Sequence, residues 1–92
     1  MIKTFRHKGL KELFEHGSTG RIQRNLHDRC QRRLDALNEA GIPEDMNIPG
    51  FDFHSLQGFS PARYTVHVNG PWCITFEFSS GDAYRVDFEQ YH

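Results

Sequence analysis

From Arg63 to His92 apolar and polar side chains alternate with a period of two, and only turn chemistry interrupts them. Tyr64, Val66 and Val68 alternate with Arg63, Thr65 and His67. Asn69-Gly70 follows, the strongest short hairpin signal, with Pro71 lengthening the turn beyond two residues. Trp72, Ile74, Phe76 and Phe78 then alternate with Cys73, Thr75 and Glu77. Ser79-Ser80-Gly81-Asp82 turns the chain again, and Tyr84, Val86 and Phe88 alternate with Arg85, Asp87 and Glu89. A period of two sends every second residue to the same face, so the pattern predicts three antiparallel strands, each with one apolar face.

That apolar face needs cover, and the first half of the chain supplies it. Ile2 to Phe5 reads as a short opening strand. Leu10, Leu13 and Phe14 then fall at i, i+3 and i+4, with Gly17 placed as a helix stop. A longer helix is expected from about Arg21 to Ala40, with Ile22, Leu26, Cys30, Leu34 and Leu37 in one stripe and Gly41 and Pro43 ending it. Two helices on one face of an antiparallel sheet make a two-layer α+β domain. The other face then carries Thr65, His67, Cys73, Thr75, Glu77, Arg85, Asp87, Glu89 and, by continued alternation, Tyr91. We expect this open polar face to hold the functional site.

Ninety-two residues give room for one core, which eight Phe, three Tyr and one Trp fill, so residues 1–92 read as a single domain. Two cysteines, Cys30 and Cys73, make neither a disulfide framework nor a zinc-ligand pattern, which argues for a reducing compartment and no bound metal. The opening MIKTFRHKGLKELF has no apolar signal region and no stretch approaches ~18 apolar residues, so a cytoplasmic protein without a membrane partner is expected. Charge is unevenly spread. Residues 1–40 carry nine Lys/Arg against five Asp/Glu, and residues 41–92 carry two against seven. Arg21, Arg24, Arg29, Arg32 and Arg33 therefore form either a face for a polyanion or an acidic partner segment, or an ordinary solvated helix surface.

Asp52-Phe53-His54-Ser55-Leu56-Gln57-Gly58 joins the two halves. A lone histidine at such a junction is more often a hydrogen-bonded structural residue than a catalyst. Its company with the closing Tyr91-His92 favours proton transfer, which imidazole performs best near neutral pH.

With these residues in view, the chain resembles the HigB branch of the RelE/ParE superfamily, toxins of bacterial type II toxin-antitoxin modules also called plasmid-maintenance killer proteins. MIKTFRHKGLKELFEHG, FHSLQG, VNGPWCITFEF, GDAY and the closing Tyr-His carry the likeness in order along the whole chain. The resemblance implies the RelE-like fold and a cofactor-free mRNA endonuclease working in the A site of the 30S ribosomal subunit. It also implies silencing by a HigA-type antitoxin, a helix-turn-helix protein through which alone the toxin reaches operator DNA. Metal-free cleavage of this kind uses the ribose 2′-hydroxyl as nucleophile, and needs a base, a stabiliser of phosphate charge and an acid for the departing 5′ oxygen. Carried over by position, His54 and His92 match the proton-transferring and positioning histidines, and Tyr91 a tyrosine that orients the phosphate or stacks on a base.

Three positions depart from the family. Most relatives carry Arg where this chain has Cys73, often Lys at Gln57 and often Asp at Gln90. An arginine at the first of these would grip the scissile phosphate with two parallel hydrogen bonds, which a thiol cannot do. The readings of Cys73 are a detoxifying substitution, a naturally weakened toxin, replacement of the missing contact by Arg63 or Arg85, or a Cys73/His54 nucleophilic pair. At the level of function the alternatives to an active toxin are a catalytically weakened homologue that only binds its antitoxin, or a ParE-like gyrase inhibitor.

Overall fold

The computed structural model describes residues 1–90, so Tyr91 and His92, both expected at the site, lie outside the described residues. Its elements run α1 (Lys8–His16), a 3-10 turn at Arg24–Leu26, α2 (His27–Glu39), a second 3-10 turn at Pro43–Met46, then β1 (His54–Leu56), β2 (Arg63–Asn69), β3 (Trp72–Ser79) and β4 (Asp82–Gln90). The strands form one antiparallel sheet in the order β1-β2-β3-β4. The expected α+β two-layer arrangement is present, with four strands rather than three. The additional strand is the His54 segment, three residues long on the edge, too short for an alternation signal.

Both helices pack on the apolar face. Leu10 and Leu13 of α1, and Cys30, Leu34 and Leu37 of α2, are essentially inaccessible and meet Val66, Ile74, Phe76 and Val86 in one core. Helix α1 begins where the Nδ1 of His7 accepts the Leu10 amide proton at 3.2 Å. It ends where Gly17, at φ 82°, turns into the left-handed region and donates to the Leu13 carbonyl at 2.8 Å. Gly9 leaves no room for a side chain, since a Cβ there would stand 2.8 Å from His7 Cε1 and 2.9 Å from Arg21 Cβ.

Helix α2 starts at His27, later than the Arg21 expected from the apolar stripe. Thr19 Oγ1 accepts the Arg21 amide at 3.1 Å, and the His27 ring bonds the Ile22 carbonyl at 2.9 Å. These side chains satisfy backbone groups that a helix would otherwise use, so Ile22 enters the core from a loop. Arg33 is also not part of the exposed basic face. It is buried over the Phe51 ring at 4.4 Å, and donates from Nε to the His67 carbonyl at 2.6 Å and from Nη1 to the Arg29 carbonyl at 3.0 Å. It ties α2 to β2 and to the segment leading into β1.

Ile2 and Phe5 make isolated parallel bridges to Ala83 and Val86 instead of a full strand. Hydrogen bonds from Lys3 N to Ala83 O, Val86 N to Thr4 O and Arg6 N to Val86 O, between 2.8 and 3.1 Å, cover the outer edge of β4. A bulge lies at the same place. Glu77 pairs with Tyr84 and Thr75 with Asp87, so β4 inserts one extra residue, and Arg85 takes φ 51°. The bulge reverses the facing of the residues before it. Ala83 enters the core and Tyr84 joins the opposite face, a correction to the uninterrupted alternation expected for Tyr84, Val86 and Phe88.

Candidate active site

Seen from the face away from the helices, the sheet is concave rather than open. Arg63, Thr65, Cys73 and Thr75 are each 4% exposed or less. The segment after β1 folds back over this face, with Phe59 joining its lining. The resulting pocket encloses about 370 Å³ between His54 and Leu56 of β1, Phe59, a floor of Thr65, Cys73 and Thr75, and a far wall of Glu89 and Gln90. Three strand spacings separate β1 from β4, roughly 14 Å at ~4.8 Å each, which is wide enough to admit a nucleotide.

His54 pairs in register with Thr65 on the edge of the sheet. Asp52, at φ 48°, turns the chain so that its carbonyl lies 3.0 Å from His54 Nδ1. A carbonyl only accepts, so Nδ1 carries a proton and donates it, and of the two neutral tautomers this bond selects the one that leaves Nε2 unprotonated. This is the tautomer a general base needs.

Cys73 is a buried thiol. Burial pushes it above its ordinary value; the Thr65 hydroxyl opposes this, and the Glu89 and Asp87 carboxylates add to it. The contact with Thr65 is weak, since Thr65 Oγ1 has no partner that meets hydrogen-bond geometry. A thiol held protonated by burial is a poor nucleophile, which argues against a Cys73/His54 pair.

The two arginines expected as replacements are placed elsewhere. Arg63 lies under the sheet face with its guanidinium donating to Glu77 Oε2 at 3.0 Å, Thr75 Oγ1 at 2.9 Å and the Arg85 carbonyl at 3.2 Å. Those bonds hold its guanidinium against Glu77, Thr75 and the Arg85 carbonyl, and it is not among the pocket's described lining residues. Arg85 sits on the bulge with an exposed side chain 4.0 Å from Glu77, and it does not line the pocket. Gln57 is exposed and does not line it either, whereas Gln90 does. Among the described lining residues there is no Lys or Arg. No group of three His, Cys, Asp or Glu able to hold a metal ion occurs among the described residues.

Leu56, Phe59, Thr75 and Glu89 are pocket residues that sequence reasoning does not single out. Thr75 and Glu89 stand on the expected face, and their alternation is the available signal. Phe59 has none, because only the folded loop brings it over the sheet. The Thr75 hydroxyl, held by Arg63, in turn donates to Glu89 Oε2.

A two-layer α+β domain with this pocket on the sheet's free face is the architecture of a small RelE-like toxin, and the family model for RelE-like toxins of HigB type II toxin-antitoxin systems matches residues 3–92. The chain belongs to this family. Over all 92 residues, and over the full length of both proteins, it is also 40% identical to Endoribonuclease HigB of Proteus vulgaris. No described helix is long and apolar enough to cross a membrane.

Proposed function

We propose that this toxin is an endoribonuclease that cleaves mRNA in the ribosomal A site by attack of a ribose 2′-hydroxyl on the adjacent phosphate. The observation that carries the reading is His54, fixed by the Asp52 carbonyl with Nε2 available at the edge of a nucleotide-sized pocket. In the proposed step Nε2 takes the 2′-hydroxyl proton and the oxygen forms its bond to phosphorus. The 5′ oxygen leaves with a proton, giving a 2′,3′-cyclic phosphate and a 5′-hydroxyl end. Tyr91 and His92 follow Gln90 directly in the chain, and on the family resemblance they supply the phosphate-orienting group and the acid. A HigA-type antitoxin is the proposed inhibitor and the link to operator DNA, in a cytoplasmic setting.

Induction without antitoxin, with mRNA 5′ ends mapped, tests this. His54→Ala is expected to lower cleavage by ~10²-fold or more, and removal of Tyr91 and His92 to abolish growth arrest. Arrest and cutting that persist in both variants would overturn the reading. Cys73 supports a second reading, that of a slow enzyme. Among the described residues the pocket has no Lys or Arg to stabilise phosphate charge, and one such preorganised group is worth ~10²-fold in rate. Cys73→Arg is expected to speed cleavage; if it brings no gain, position 73 does not limit the rate.

A further inference from the structure

Glu89 is an anion lining a pocket that, on the reading above, receives an RNA chain. Its Oε2 accepts the Thr75 hydroxyl, which is itself held by the buried Arg63 guanidinium. The relay fixes the carboxylate against β3 in the pocket lining, and no Lys or Arg lies within ion-pair reach of it among the described residues. A phosphate beside Glu89 would be repelled across a mostly apolar lining. The group that suits this wall is a neutral one bearing N–H donors, and the apolar Leu56 and Phe59 suit a flat ring.

We propose that the Glu89 wall is a base-reading subsite selective for guanine, with the carboxylate accepting from guanine N1–H and the exocyclic N2 amine. Among the four bases only guanine offers two adjacent donors on its pairing edge that match a carboxylate. Adenine and cytosine offer one exocyclic amine each beside an acceptor that Glu89 repels. Where relatives carry Arg, a guanidinium so close to Glu89 would neutralise it. With Cys73 here, no Lys or Arg pairs the carboxylate among the described residues, and the departure that weakens phosphate binding is the one that creates the base subsite. The proposal deepens the nuclease reading and rests on it for biological meaning, but the subsite is measurable without cleavage.

The test is titration of the purified protein with guanosine monophosphate and with inosine monophosphate, which lacks only the N2 amine, followed by backbone amide NMR shifts. The wild-type chain is expected to bind the guanine nucleotide ~5-fold more tightly or better, as a lost base-edge hydrogen bond implies, with shifts centred on Cys73, Thr75 and Glu89. Glu89→Gln, which keeps size and can still accept from Thr75, is expected to bring the ratio to about 1, and Cys73→Arg to do the same. Should Glu89→Gln lose its dispersed spectrum, Glu89→Asp replaces it with a partial loss expected. Equal binding of the two nucleotides by the wild-type chain, a preference that survives these variants, or shifts confined to the helix surface would overturn the proposal. Guanine preference without RNA cleavage would retain the subsite and reject the nuclease, whereas cleavage without guanine preference would do the reverse.

Discussion

A neutral imidazole is built into the start of α1. The Nδ1 of His7 accepts from Leu10 N, and the ring stands edge-on to Phe88 with centroids 5.6 Å apart. Burial lowers its pKa; Asp87 raises it and Arg21 lowers it. Because the folded value lies below the unfolded one, near ~6.5, its contribution to stability is complete above that value and is lost as pH falls through the folded value. Protonation turns the capping acceptor into a donor, and a cap is worth about 1 kcal/mol. The drop in Tm between pH 7.5 and 5 is therefore expected to be smaller for His7→Asn, which caps at any pH. An equal drop would show that His7 does not report acid through this cap. Arg63 makes a second residue-level prediction. Removing it leaves Glu77 uncompensated in a mostly buried site, and Arg63→Met should cost about 3 kcal/mol in urea unfolding, with Arg63→Met/Glu77→Leu recovering much of it.

At the scale of elements, β4 is held by β3 on one edge and by residues 2–6 on the other. Deleting the first five residues removes the backbone bonds made by Met1, Lys3 and Thr4 and uncovers much of this strand edge, which invites strand-to-strand association. The expected result is fast amide exchange at Ala83 and Val86 and a concentration-dependent oligomer in ultracentrifugation; unchanged exchange would mean that β4 holds without its cover. The strands are legible from alternation because packing on the helices gives each one an apolar side. The bulge is not, since it lies where Thr4 and Phe5 meet Val86 some eighty positions away, and no local pattern encodes that contact. The start of α2 is hidden for a related reason: Ile22 keeps the helical spacing while Thr19 and His27 divert the backbone. In the site, His54 and Cys73 stand out by residue type. Arg63 reads as a free cation because a sequence shows its charge and not the Glu77 that occupies it.

On the scale of the molecule, charge is divided between the two layers. With Arg33 inside, Arg21, Arg24, Arg29 and Arg32 remain exposed on the helical layer, and Glu77, Asp87 and Glu89 lie on the sheet face. If the helical layer meets ribosomal RNA, binding should weaken steeply with salt. Arg29→Ser/Arg32→Ser should then reduce the slope of log K against log salt by up to ~2, one for each phosphate that is no longer neutralised. An unchanged slope would assign those arginines to solvent or to the antitoxin.

The parallel pairing of Ile2 with Ala83 and Phe5 with Val86 also bears on synthesis. Translation delivers Ile2 long before the strand it pairs with, so the wall that carries Glu89 cannot be laid down until nearly the whole chain has been made. A ribosome that stalls or terminates before residue 82 releases a chain without β4, and hence without the Glu89 wall of the pocket. On the proposed reading of a toxin acting at the ribosome, the cell making it meets a complete Glu89 wall only in copies translated past β4.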